Sequence, residues 1–299
     1  MHVLFLYAVV VLIWGSTWGA IPFQFGVVAE EVSVAYRFAL GAVALYVYAV
    51  LTGKRMAIPL RHYPMVILQG LLLFSINYFF VYYGTGYITT GLVAVTFSSI
   101  VMFNAINERL FFGAPLEARL LMASLLGVLG IAFIFWPEVT TLSLQDDTVY
   151  GLLLVIIGVI TASLGNMAAV INTRRQLPVV AVNAHGMIWG TLMSIVAAFF
   201  LDREFNFSYE PAYIWSLLYL GIFGSAIAFG SYLVLIRKIG SARAAYTAVL
   251  FPVVALLIST IVEGYQWSTL AVIGVILTLG GNWLALTRTR KPMTEAQQE

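Results

Sequence analysis

Ten apolar runs, separated by short charged or Pro/Gly-rich breaks, divide the chain at 3–23, 32–52, 64–83, 87–107, 119–137, 149–172, 182–201, 212–236, 244–262 and 267–287. Each approaches the roughly 20 residues that a helix needs to cross the hydrocarbon of a bilayer. A helix satisfies its own backbone hydrogen bonds in lipid, which an open sheet cannot do. The pattern therefore predicts an all-α integral membrane protein with ten transmembrane helices. The first run has no small-residue cleavage site and nine more spans follow it, so it reads as a permanent helix and not as a signal peptide.

Composition agrees: 62% hydrophobic against 9% charged residues leaves too little polar surface to clothe a water-soluble fold. The chain has no cysteine, which excludes disulfides, thiolate catalysis and cysteine-ligated metals. The basic residues are scattered singly, so the net charge of +2 predicts no nucleic-acid partner. The partners implied are a lipid bilayer and a small-molecule substrate, with the monomer as the functional unit. If the N-terminus is cytoplasmic, inside segments hold every basic residue except Arg37 and Arg203. That bias is the positive-inside pattern and puts both termini in the cytoplasm. Trp136, Trp215 and Trp267 then fall at outer ends, where indoles prefer the headgroup layer.

The halves resemble each other. Thr90-Gly91-Leu92-Val93-Ala94-Val95 matches Ala242-Arg243-Ala244-Ala245-Tyr246-Thr247 in position within its half, Glu108 and Glu263 close the following spans, and glycines recur at Gly127/Gly130 and Gly274/Gly280/Gly281. Five helices repeated once must place the second copy upside down, because five is odd. This divides the chain into a first five-helix repeat at 1–140 and an inverted second repeat at 141–299, with a short cytoplasmic tail. Inverted repeats are a signature of alternating-access transporters.

Several short motifs occur in order: Trp14-Gly15-Ser16-Thr17-Trp18-Gly19, Tyr36-Arg37-Phe38-Ala39-Leu40, Glu108-Arg109-Leu110, and the glycine-rich fifth and tenth helices. With them the chain resembles the EamA-type family of the drug/metabolite transporter superfamily over nearly its whole length. The resemblance implies two inverted five-helix repeats around a cavity lined by helices one, three, four, six, eight and nine, and export of small metabolites, amino acids among them. One departure stands out: a proline often found midway along the fourth helix is absent, while Pro252 stands in the ninth. That puts symmetric bending of this pair in doubt.

Uncharged hydrogen-bonding groups at mid-membrane are costly facing lipid and should face protein or a wet cavity. The candidate substrate-binding residues are Trp14 and Trp18, which share a face one turn apart, and Asn77, Tyr78 and Tyr82 of the third helix. Thr96, Ser99, Ser163, Asn166, Phe229, Tyr232 and Tyr246 join them. For each, packing or interhelical hydrogen bonding is the competing reading, and both stay open. Arg37 reads as the outermost residue of its span, snorkelling to the headgroups and pairing with Glu30 or Glu31. His185 has two readings, a proton site and a hydrogen-bonded structural histidine. Glu108 and Glu263 read as boundary residues.

An intramembrane enzyme would need a buried catalytic constellation, and the sequence holds no Gly-x-Ser-x-Gly, no His-Glu-x-x-His and no paired intramembrane aspartates. His2, His62 and His185 are not at ligand spacing, so neither a metal nor a cofactor is expected. Rings of charge or repeated filter loops, which channels use, are missing too. With no GxxxxGK motif, transport is facilitative or ion-coupled. A drug exporter would place a carboxylate at mid-helix and a phosphate exchanger a Lys or Arg; the reading finds neither, which leaves neutral or zwitterionic metabolites, with a multidrug exporter of the same fold as the alternative.

Overall fold

The computed structural model of the chain describes residues 2–88, 90–140, 146–262 and 267–287, without the side chains of Trp18, Thr90, Ala94, Glu138, Val139, Asp146, Ala255, Ser259, Ile261 and Val262. Every regular element among the described residues is helical. The first half comprises α1 (Val3–Ala20), α2 (Glu30–Thr52), α3 (Leu60–Thr85), α4 (Thr90–Ser98), α5 (Ile100–Phe112) and α6 (Ala118–Ile134), followed by the short α7 (Trp136–Thr140). The second comprises α8 (Asp146–Arg174), α9 (Val179–Phe200), α10 (Pro211–Ile239), α11 (Ser241–Val249), α12 (Phe251–Val262) and α13 (Thr269–Leu286). Glycine ends two of them: Gly53 after α2 and Gly113 after α5 sit at φ of +63° and +65°, which a residue with a Cβ adopts only with strain.

Among the described residues, 7 helical stretches are long and apolar enough to cross a membrane: α2, α3, α8, α9, α10, Ser241–Ile258 and α13. The hydropathy pattern predicts ten. Part of the difference has a physical origin: α6 is apolar but only 17 residues long, and the run at 87–107 is broken by a turn at Ser99 into 9 and 13 residues, whereas α1 is apolar and as long as α13, 18 residues. The run at 244–262 breaks likewise at Leu250, two residues before Pro252. No proline breaks the earlier helix. There Ser98 and Ser99 turn their hydroxyls back onto the carbonyls of Val95 and Thr96, both at 2.6 Å, which competes with helical continuation.

Burial is inverted relative to a soluble protein. Val50, Leu51, Phe199 and Phe200 are at least three-quarters exposed, while Gln24, Glu31, Arg37, Gln69, Asn104, Asn166 and Asn172 are buried. Apolar patches of that extent fit a lipid solvent and not water. The inner polar groups bond between helices: Asn172 Nδ2 donates to Gln69 Oε1 at 3.0 Å, and Gln24 Nε2 to Ser216 Oγ at 2.6 Å.

Four packings organise the bundle: α6 along α13, α2 along α9, α3 on α8 and α9, and α1 on α10, α11 and α12. Two helices are locally underwound to π geometry, α3 at Leu72–Ile76 and α10 at Leu220–Ile227. A π-turn displaces backbone groups from their usual partners and is found mostly at functional sites.

Candidate functional site

A cavity of about 130 Å³ lies where α1, α3, α8, α10 and α11 converge. Its wall is Trp14 and Thr17 of α1 with Ile21 just past its end, and from α3 Leu73, Asn77, Tyr78, Val81, Tyr82 and Thr85. Ala162 and Asn166 of α8, Phe229 and Tyr232 of α10, and Ala245, Thr247 and Ala248 of α11 face them. Phe97, Ile100 and Phe251 close the wall from α4, α5 and α12, and Arg37 enters from α2.

Seven of the sequence candidates therefore meet in one place: Trp14, Asn77, Tyr78, Tyr82, Asn166, Phe229 and Tyr232. Trp14 is the hub. Its ring lies 4.7 Å from Phe229, 5.1 Å from Tyr232 and 5.7 Å from Phe251, and its Nε1–H donates to the Gly224 carbonyl at 2.8 Å. That carbonyl belongs to the π-helical segment of α10. Tyr78 and Tyr82 lie with ring centroids 6.0 Å apart, Tyr78 against Phe38 at 5.1 Å and Tyr82 against Phe25 at 5.3 Å.

The other candidates lie outside this lining. Thr96 donates to Leu92 O at 2.8 Å, and Ser99 is spent on Thr96 O, so α4 and α5 present Phe97 and Ile100 to the cavity instead. Ser163 accepts from Asn107 Nδ2 at 2.8 Å and ties α8 to α5. The Tyr246 hydroxyl donates to Leu120 O at 2.5 Å and meets Ser124 Oγ at 3.0 Å, bracing α11 on α6. His185 Nδ1 bonds the Tyr63 hydroxyl at 2.7 Å between α9 and α3, so the structural reading of this histidine accounts for its contacts. Trp18 and Glu263 fall outside what is described.

Arg37 departs from its sequence reading. Arg37 is 3% exposed and does not snorkel, and as it lines the cavity the expectation of no Lys or Arg within a span does not hold. It lies 4.9 Å above the Tyr78 ring, its Nε donates to Ser225 Oγ at 3.1 Å, and its Nη1 has no hydrogen-bond partner. Glu31 does not pair with it. That carboxylate accepts from the Tyr83 hydroxyl and faces Arg203 Nε at 3.6 Å. The cause is register: α2 begins at Glu30, so Arg37 sits seven residues in, about 10 Å along the helix axis. Desolvating a cation costs several kcal/mol, and a cation–π contact offsets only part of that. The signal available was the glutamate pair at the helix start, whose negative charge complements a helix N-terminus and marks α2 as starting earlier than the apolar run.

Glu108 is also more than a boundary residue. Its Oε1 accepts from Ser241 N at 2.8 Å, Ser241 Oγ at 2.6 Å and Ala242 N at 3.3 Å, capping α11 from another helix. Asn104 Nδ2 adds a bond to Ser241 O at 3.2 Å. A carboxylate on the first amides of a helix satisfies orphan donors and the positive end of the dipole. Together these bonds tie α5 to the start of α11.

A helical bundle with apolar outer faces around an aromatic-lined cavity defines a multi-pass membrane protein. Residues 1–136 and 149–287 match the EamA-like transporter family, and the chain belongs to it. The uncharacterized transporter YoaV of Bacillus subtilis is 22% identical, covering 91% of this chain and 92% of that protein. The uncharacterized inner membrane transporter YedA of Escherichia coli K12 is 27% identical over 90% and 88%, and the protein PagO of Salmonella typhimurium 23% over 97% and 94%. A solved crystal structure superposes with a TM-score of 0.79 at 17% identity, covering 94% of this chain and 95% of that one, a likeness of fold.

Proposed function

We propose that the chain is a secondary transporter that exports small neutral or zwitterionic metabolites, amino acids foremost, by alternating access across a bacterial inner membrane. The observation that carries this reading is the cavity: aromatic faces for an apolar side chain, with Arg37 and two amides among them. The Asn77 and Asn166 Oδ1 atoms are buried without partners, and an unmet buried acceptor costs about 1–3 kcal/mol, so a donor on a solute would relieve them. Acceptors beside a cation suit a molecule carrying both charges.

Ten spans arranged as two inverted repeats, with both termini cytoplasmic, belong to the same proposal. The family match falls in two stretches, one per half. A π-helical segment recurs in α3 and α10, and a one-residue break recurs at Ser99 and Leu250. Packing repeats too: α1 lies on α10 and the α11–α12 pair as α8 lies on α3 and the α4–α5 pair. Reporters after residue 57 are expected inside and near residue 144 outside; an inside signal at 144 removes a span and the inversion with it.

The decisive experiment is counterflow in proteoliposomes with labelled leucine, methionine and phenylalanine, with and without a pH gradient. Exchange is expected without the gradient, because no carboxylate is among the described residues that line the cavity, and His185→Gln is expected to leave it unchanged. Strict dependence on the gradient, lost in His185→Gln, would make His185 the proton site. Counterflow of tetraphenylphosphonium with no amino acid moving would replace this reading with the multidrug one.

Tyr82 supplies a second test. Its ring is buried against the cavity, and a phenol offers more area through its ring than through its hydroxyl. Tyr82→Phe is therefore expected to be mild and Tyr82→Ala to weaken leucine affinity by about 10-fold or more, one hot-spot contact's worth. A Tyr82→Ala variant with wild-type kinetics would remove this residue from the path.

A further inference from the structure

We infer that Arg37 is the anchor for a carboxylate of the transported molecule, so that the site recognises its substrate first through the acid group and only second through the amine. This rests on the reading of the cavity as the substrate site and narrows it.

The argument is one of charge accounting. Among the described residues, the two ion pairs are Arg203 with Glu31 and Arg243 with Glu117, and neither includes Arg37. Its Nε is held by a neutral hydroxyl, and one face of the fork rests on the Tyr78 ring. These contacts fix the plane of the guanidinium without neutralising it. Nη1 remains unpartnered in a residue that lines the cavity. A planar fork with a free terminal nitrogen matches a carboxylate in geometry as well as charge.

The surroundings are preorganised for that ligand. Ser225, which accepts from Arg37 Nε, donates its own hydroxyl to Leu220 O at 2.9 Å, a contact created by the π-helical course of α10. Gly224, the preceding residue, has no side chain: a Cβ there would stand 3.4 Å from an Arg37 terminal nitrogen and 3.1 Å from Thr17. The α10 segment thus seats the guanidinium from one side. For an ammonium the described lining offers neutral acceptors, the amides of Asn77 and Asn166 and the threonine and tyrosine hydroxyls, and aromatic faces. An ion meeting its counter-ion is bound more strongly than one meeting a neutral dipole, so loss of the acid should cost more than loss of the amine.

The test uses the full chain in nanodiscs of phosphatidylcholine, with leucine, leucinamide, 4-methyl-2-oxopentanoate and inorganic phosphate as ligands and thermal stabilisation as readout. Leucine and the oxo acid are expected to stabilise the protein, and leucinamide to bind about 10- to 100-fold more weakly than leucine. Phosphate is expected to do nothing. Arg37→Gln should bring leucine down to the affinity of leucinamide while leaving leucinamide unchanged, and Arg37→Lys, which keeps the charge but not the fork, should fall between. Because the ligand series is run on the unaltered chain, it holds even if Arg37→Gln does not fold. Equal affinity for leucine and leucinamide would overturn the inference while leaving amino-acid transport standing. Stabilisation by phosphate equal to that by leucine would make Arg37 a general anion site and overturn it. Stabilisation by phosphatidylglycerol nanodiscs alone, lost in Arg37→Gln, would assign the guanidinium to a lipid headgroup. Stabilisation by tetraphenylphosphonium and by none of the acids would overturn the substrate reading itself.

Discussion

Gly274→Ala is expected to lower the melting temperature markedly, and Gly274→Leu to leave no folded, monodisperse protein. A Cβ at Gly274 would stand 2.5 Å from Gly130 O and 2.8 Å from Ile134 N, and the reciprocal Cβ at Gly130 2.6 Å from Gly274 O. Backbone atoms cannot swing aside as a side chain can, so α6 and α13 must separate along their length. Overpacking by one methylene costs about 1–3 kcal/mol and occasionally more, against a helix-propensity gain of about 1 kcal/mol for replacing glycine by alanine. The clash wins. At Gly280 nothing lies within 4 Å, so Gly280→Ala gains propensity with no clash and should melt at or above the wild-type temperature. The consequence reaches the site: α11, a cavity wall, hangs on this scaffold through the Tyr246 hydroxyl on Leu120 O and through Asn282 Nδ2 on Tyr246 O at 2.9 Å. Equal melting temperatures for Gly274→Ala and Gly280→Ala would show that the close crossing does not hold the bundle together.

The contrast between these glycines marks how far the chain can be read without coordinates. The segments are legible because lipid demands length and apolarity, signals carried by about twenty neighbouring residues at once. Most of the seven lining residues are legible for a related reason: an amide, phenol or indole N–H at mid-membrane is costly facing lipid. What escapes is whatever depends on phase or on a distant partner. Thr96 and Ser99 look like lining groups by polarity, but a hydroxyl on a helix can be satisfied by its own backbone, and theirs are. The faces they would have given to the cavity belong to Phe97 and Ile100. Arg37 is misplaced by an error of two residues in where α2 begins. Glu108 resembles any acid at a helix end, since its partner Ser241 lies 133 positions away.

Trp14→Ala is expected to abolish leucine counterflow, and Trp14→Phe to slow it while preserving affinity. The two variants separate what the indole does. Its ring touches Phe229, Tyr232 and Phe251 at once, so alanine removes the common surface of three cavity walls. Truncating a large buried aromatic costs about 3–5 kcal/mol, an upper bound for the half-buried Trp14. Phenylalanine keeps a ring in place but cannot donate, and it leaves the Gly224 carbonyl without its bond to Nε1. An unmet acceptor in the π-helical segment costs about 1–3 kcal/mol, which falls on the link between α1 and α10 and not on the substrate. If alternating access moves these helices relative to each other, that cost appears in the maximal rate, whereas the alanine variant loses binding as well. Affinity from thermal stabilisation, maximal counterflow rate and melting temperature, measured on both purified variants, distinguish the outcomes. Wild-type affinity and rate in a folded Trp14→Ala protein would place the substrate path elsewhere.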